Sequence, residues 1–118
     1  MKNPKKILAA LAFMAASLLA AEAAPKTFEG QIMDSTCAKM GSHEEGYKLT
    51  NTHTPKACTL ACAGAGAKFV LYDSATKTTY QLDNQSEAKK FAGEKVSVVG
   101  TVNPKTDTIH VEKLQSAS

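Results

Sequence analysis

The chain has 118 residues with 14 lysines against 11 acids, a formal net charge of +3, and neither arginine nor tryptophan. Without arginine or a basic face, nucleic acid is not an expected partner. The length supports one small domain and leaves no room for a second.

Residues 1–23 read as a secretory signal peptide. Lys2, Lys5 and Lys6 form a basic start, residues 7–21 are apolar, and Ala21-Glu22-Ala23 is a small-x-small cleavage site. Cleavage after Ala23 would leave residues 24–118 as the mature domain, with 11 lysines against 10 acids and a net charge of about +1. No later apolar run is long enough to span a membrane, so export to the periplasm or the exterior is expected, with no transmembrane segment after signal removal. Residues 27–34 (TFEGQIMD) alternate in polarity and predict a half-buried strand, with Gly30 marking a bulge or a strong coil. Residues 35–54 are polar, without an apolar period, and read as a long surface excursion. Thr54-Pro55 is an N-cap followed by a first-turn proline, so a helix is expected over 55–63, ended by Gly64 and Gly66. Residues 68–73 (KFVLYD) are apolar on both faces, which predicts a strand buried between the core and that helix. Residues 78–83 (TTYQLD) alternate and complete a hairpin. A short helix over 86–92 ends at Gly93, and strands follow over 95–102 and 108–114. Val96, Val98, Val102, Ile109 and Val111 point inward with Phe28, Ile32 and Leu82, and His110 points outward.

This order predicts a mainly β domain. It is a small five-stranded OB-like barrel, with a Cys-bearing loop–helix insert between strands 1 and 2 and a short helix between strands 3 and 4. The same order also allows an open five-stranded sheet with its helices on one face.

Four stretches, GQIMDSTCAKM, ACTLACAGAGAKFVLYD, TYQLDNQ and KKFAGEKVSVVGTV, resemble a family of small exported bacterial proteins known as a domain of unknown function. The combination DSxCA, CTxxC, GAKxVL and FAGxxVxVxG carries that resemblance, which implies export and a single domain but no activity. GQI and AGEKVSVVGTV are also similar to exported bacterial OB-fold proteins associated with stress tolerance, which lack this Cys-bearing insert.

The three cysteines, Cys37, Cys58 and Cys62, all fall between the first two strands. In an exported chain they can form a disulfide, and three leave one thiol over. Cys58 and Cys62 sit at i and i+4 on one helix face, about 6 Å apart but with an awkward Cβ direction for bonding each other. Cys37 approaches from outside the helix, so a disulfide of Cys37 with Cys58 or Cys62 is expected, stabilising by roughly 3 kcal/mol. The leftover thiol has three readings. It can be a buried inert side chain. The three cysteines with His43 or His53, and Met40 as a thioether, can be a Zn or Cu site. Or Cys58, near a helix N-terminus, can do thiol–disulfide chemistry. Asp34-Ser35-Thr36 reads as a turn into the insert, or as an acid beside a hydroxyl. Tyr72 and Tyr80 read as packing residues, or as a stacking surface for a ligand. No GxSxG, HExxH or phosphate-loop pattern is present. The expected function is therefore a non-catalytic, disulfide-stapled binding or scaffold domain needing no cofactor. The alternative is a thiol/His site for Zn or Cu handling or redox exchange in the cell envelope.

Overall fold

The computed structural model describes residues 24–117. The signal peptide expected over residues 1–23 lies outside the described residues. The elements in chain order are β1 (Lys26–Asp34), α1 (Ser35–Met40), α2 (Glu44–Thr50), α3 (Pro55–Gly64), β2 (Phe69–Asp73), β3 (Thr78–Leu82), α4 (Gln85–Lys90), β4 (Lys95–Asn103) and β5 (Thr108–Ser116). The five strands form one sheet that closes on itself in the order β1-β2-β3-β5-β4. Neighbours are antiparallel except β3 and β5, which run parallel through Gln81↔Thr108 and Leu82↔Ile109. That short parallel pair shuts the ring, so the open sheet that the element order also allowed is not formed. Among the described residues, closure leaves no long unpaired edge.

β1 holds the ring together because it serves two neighbours. Lys26 to Gln31 pair with β4, and Gln31 to Asp34 pair with β2. The strand must bend between the two ladders, and Gly30 sits at the bend. A Cβ there would lie 2.5 Å from the Tyr72 carbonyl oxygen, closer than any side chain tolerates.

Side chains divide by strand alternation. Ile32, Phe69, Leu71, Leu82, Val96, Val98, Ile109 and Leu114 fill the inside of the ring, joined by Ala88 of α4 and by Ala92. α4 closes one end. Asn84 caps it by accepting from Glu87 N, and the Gln85 side chain ties it to β2, donating to Phe69 O and accepting from Phe69 N. Met33 and Val70 point the other way, into a second cluster with Cys37, Ala38 and Cys58. The strand over Phe69–Asp73 is apolar on both faces for this reason: the core lies on one side and the helical insert on the other.

The insert differs from the expectation. Residues 35–54 contain two helices instead of one irregular excursion. They span six and seven residues, less than two turns each, too short for an apolar period to emerge. The residues they bury are small, Cys37 and Ala38 in α1 and Gly46 in α2. Their ends carry ordinary stop signals. Gly41 and Asn51 both adopt the left-handed conformation that terminates a helix.

Candidate metal centre

Four side chains from different elements converge on the outer face of β1 and β2. Asp34 ends β1 and caps α1, its Oδ2 accepting from Cys37 N at 2.9 Å. That cap brings Cys37, three residues on, up beside the carboxylate. His43 sits at the N-terminus of α2. Cys58 lies in the first half of α3, whose start is set by Thr54 accepting from Ala57 N and by Pro55. The ligand atoms of Asp34, Cys37, His43 and Cys58 all lie within 4.8 Å of one another, and all four residues are buried.

Three polar atoms of this cluster lack partners. Asp34 Oδ1 and both ring nitrogens of His43 are buried without a hydrogen bond. Each such atom costs about 1–3 kcal/mol unless something satisfies it. The His43 ring is held by stacking on Tyr47, centroids 5.8 Å apart and planes 19° apart. The α2 backbone presses on the sulfurs. A Cβ on Gly46 would lie 2.6 Å from Cys37 Sγ and 2.7 Å from Cys58 Sγ. A cleft of about 340 Å³ lined in part by Met33, Gly41, Ser42, His43 and Tyr72 opens beside the cluster.

The disulfide expected for Cys37 is not formed. Cys37, Cys58 and Cys62 are free. Cys37 Sγ and Cys58 Sγ are 3.9 Å apart, almost twice the bonded length of about 2.05 Å. The approach of Cys37 to the helix face does occur, with Cys58 as its neighbour, but as two thiols around shared space. Burial pushes the Cys37 thiol up beyond its ordinary value, and the adjacent Asp34 and Cys58 add to this. Cys62 is also pushed up by burial, with smaller contributions from Asp34 and Cys58. Burial pulls His43 down, against an opposing pull from Asp34. Near neutral pH, without a metal, the cluster therefore presents a protonated Cys37 and a neutral imidazole.

Of the residues singled out from sequence, Cys37, His43 and Cys58 come together. Cys62 packs against the same cluster but lies outside the ligand group. His53 is exposed at the loop before α3, and Met40 is 45% exposed. Asp34 joins the group in their place. Its signal was local: an aspartate three residues before a cysteine, at a strand-to-helix junction, caps the helix and so meets the cysteine. Gly46 gave no signal, because a helical glycine reads only as a weak point. His110 is exposed as expected, and its Nδ1 pairs with Asp83, whose carboxyl also accepts from Val111 N. That backbone bond, helped by His110, holds Asp83 below the usual carboxylate range. Tyr80 packs on Phe28, centroids 5.2 Å apart.

A family model described as a protein of unknown function (DUF5818) matches residues 64–117. The match begins at the end of α3 and runs through β5, so the chain is similar to that family over most of the ring. All four cluster residues lie before it. No curated protein and no solved structure matches the chain. Among the described residues, no helix is long and apolar enough to cross a membrane.

Proposed function

We infer that this chain is an exported metal-binding domain in which Asp34, Cys37, His43 and Cys58 hold one zinc ion. The observation that carries the reading is the set of three unpartnered buried atoms, Asp34 Oδ1 and the His43 nitrogens, beside two buried thiols. A cation bound there would satisfy the carboxylate and one imidazole nitrogen together, and would stabilise two thiolates that are otherwise costly to bury.

The donor set selects the metal. Two sulfurs, one nitrogen and one oxygen suit four-coordinate Zn²⁺. Two sulfurs each about 2.3 Å from a tetrahedral ion stand about 3.8 Å apart, against the 3.9 Å between Cys37 and Cys58. Cu(I) prefers thiolates and thioethers to a carboxylate and an imidazole, and Met40, the thioether expected from sequence, is turned to the surface. Four protein donors fill a tetrahedral ion and leave no open position for a substrate, which favours a structural or metal-carrying role over catalysis. The insert has few apolar residues of its own, so a bound ion would also pin α1, α2 and α3 to the sheet.

Export rests on the signal-like residues 1–23 and on the resemblance of the DSxCA, CTxxC and FAGxxVxVxG motifs to exported proteins. The OB-like barrel reading rests on strand order, with the ring closed by β3 and β5 and a helix between strands three and four.

Cobalt(II) substitution tests the site. The reduced protein should take up one cobalt ion with the intense visible bands of a tetrahedral thiolate complex and the near-ultraviolet band of sulfur-to-metal charge transfer. Cys37→Ser and Cys58→Ser should each weaken the charge-transfer band, and His43→Ala should shift the visible bands. A spectrum of hexaaqua cobalt in the wild-type protein would reject the site.

A further inference from the structure

Cys62 is the third thiol of the cluster, and the metal site does not use it. It lies one turn after Cys58 on α3, half-buried, while Cys37 and Cys58 are both fully buried. It packs against the buried cluster that holds both of them. Of the three cysteines Cys62 alone is not fully buried, so an external disulfide meets it before either metal-binding cysteine. The two buried sulfurs need to close by about 2 Å to bond.

We propose that the three cysteines form a thiol–disulfide relay, with Cys62 as the attacking thiol and metal release as its outcome. This rests on the metal reading above and adds the reaction that empties the site. The substrate class is an accessible disulfide, either small or on an extended polypeptide. In the first step the Cys62 thiol gives its proton to solvent and its sulfur attacks one sulfur of R–S–S–R, forming Cys62–S–S–R and expelling RS⁻, which takes a proton up. Next the Cys58 thiolate attacks the Cys62 sulfur, forming a Cys58–Cys62 bond and expelling the second RS⁻. Positions i and i+4 of a regular helix put both Cβ atoms on one face without aiming them at each other, so this bond is strained and short-lived. The Cys37 thiolate, next to Cys58, then attacks the Cys58 sulfur. A Cys37–Cys58 disulfide forms and Cys62 returns as thiolate. Across the sequence Cys37 and Cys58 lose two electrons, the external disulfide gains them and leaves as one thiol and one thiolate, and Zn²⁺ departs because both its sulfur ligands are gone. The reaction runs backwards with an external dithiol, which would restore the site.

The test uses the zinc-loaded full domain, oxidised glutathione as the disulfide, and a chromogenic chelator to read free zinc. Wild type should release its zinc, and peptide mapping should find the Cys37–Cys58 linkage. Cys62→Ser and Cys62→Ala should bind zinc as tightly as wild type but release it about tenfold more slowly or less, because the buried thiolates must then meet the oxidant directly. Equal release rates in wild type and both variants would overturn the relay. So would release that ends with glutathione fixed on Cys62 and no Cys37–Cys58 bond. If the reduced protein binds no zinc, the metal reading fails. The relay is then decided by whether Cys37–Cys58 linkage in the metal-free protein depends on Cys62.

Discussion

Replacing Gly46 by alanine sets two physical effects against each other with opposite signs. In an ordinary helix position the change stabilises by about 1 kcal/mol, because alanine loses less backbone freedom on folding. Here the new methyl would lie 2.6 Å from Cys37 Sγ and 2.7 Å from Cys58 Sγ. Relaxed contacts between heavy atoms need about 3.5–4.0 Å, so both sulfurs, or the whole of α2, must retreat by about 1 Å. Overpacking of that kind costs about 2–3 kcal/mol. The net expectation is a loss of about 1–2 kcal/mol, which lowers the melting point of a domain this size by about 5 °C or more. A retreating α2 also carries His43 away from the thiols, so zinc affinity should fall by about 10- to 100-fold. Thermal melts and competitive zinc titration read the two effects separately. Gly64→Ala is the control, since a Cβ there meets nothing within 4 Å. It should melt at or slightly above wild type and bind zinc unchanged. If Gly46→Ala behaves like Gly64→Ala in both assays, α2 does not press on the sulfurs and the packing of the site is wrong.

Asp34→Asn should fold, because asparagine caps a helix as well as aspartate does, yet bind zinc at least about tenfold more weakly in the same titration, since the anionic oxygen is gone. Zinc affinity should rise with pH across the neutral range, by about one decade per unit for each thiol proton displaced, because Cys37 is protonated in the metal-free state; a pH-independent titration would show that no thiol is a ligand. In the metal-free protein His43 is held below its ordinary value of 6.5. The unfolded chain therefore binds a proton there first, and denaturant melts should lose stability as pH falls through about 6.5 and below. Val98 is fully buried in the ring, so Val98→Asp should leave the domain unfolded by circular dichroism, whereas Glu112→Gln on the exposed face should be nearly silent.

The strands were legible because their residues obey one rule along their whole length. Val96, Val98 and Ile109 alternate with less buried neighbours, and a period of two survives even in short segments. α3 was legible from Thr54-Pro55, whose cap and first-turn chemistry is independent of what the helix packs against. α1 and α2 were not, because helices of under two turns bury Cys37, Ala38 and Gly46, which carry almost no hydrophobic pattern. The cluster was half legible for a related reason. Cysteine and histidine announce themselves as ligands, so Cys37, Cys58 and His43 were candidates, but so was His53, which the same chemistry marks and the chain path leaves in solvent. In the sequence Asp34 marks a turn into the insert or an acid beside a hydroxyl, and its capping geometry is what delivers its second oxygen to the cluster. The disulfide expectation failed on distance alone. Proximity of Cys37 to α3 follows from the topology of the insert, but whether two neighbouring thiols bond or flank an ion depends on where His43 and Asp34 stand, which no spacing in the sequence fixes.

Native mass spectrometry of the reduced protein, given one equivalent of zinc without chelator, tests the central claim most directly. The account predicts a single retained zinc ion with displaced thiol protons in the wild type, and markedly reduced retention in Cys37→Ser. A wild-type protein that stays metal-free with all its thiols protonated would contradict it.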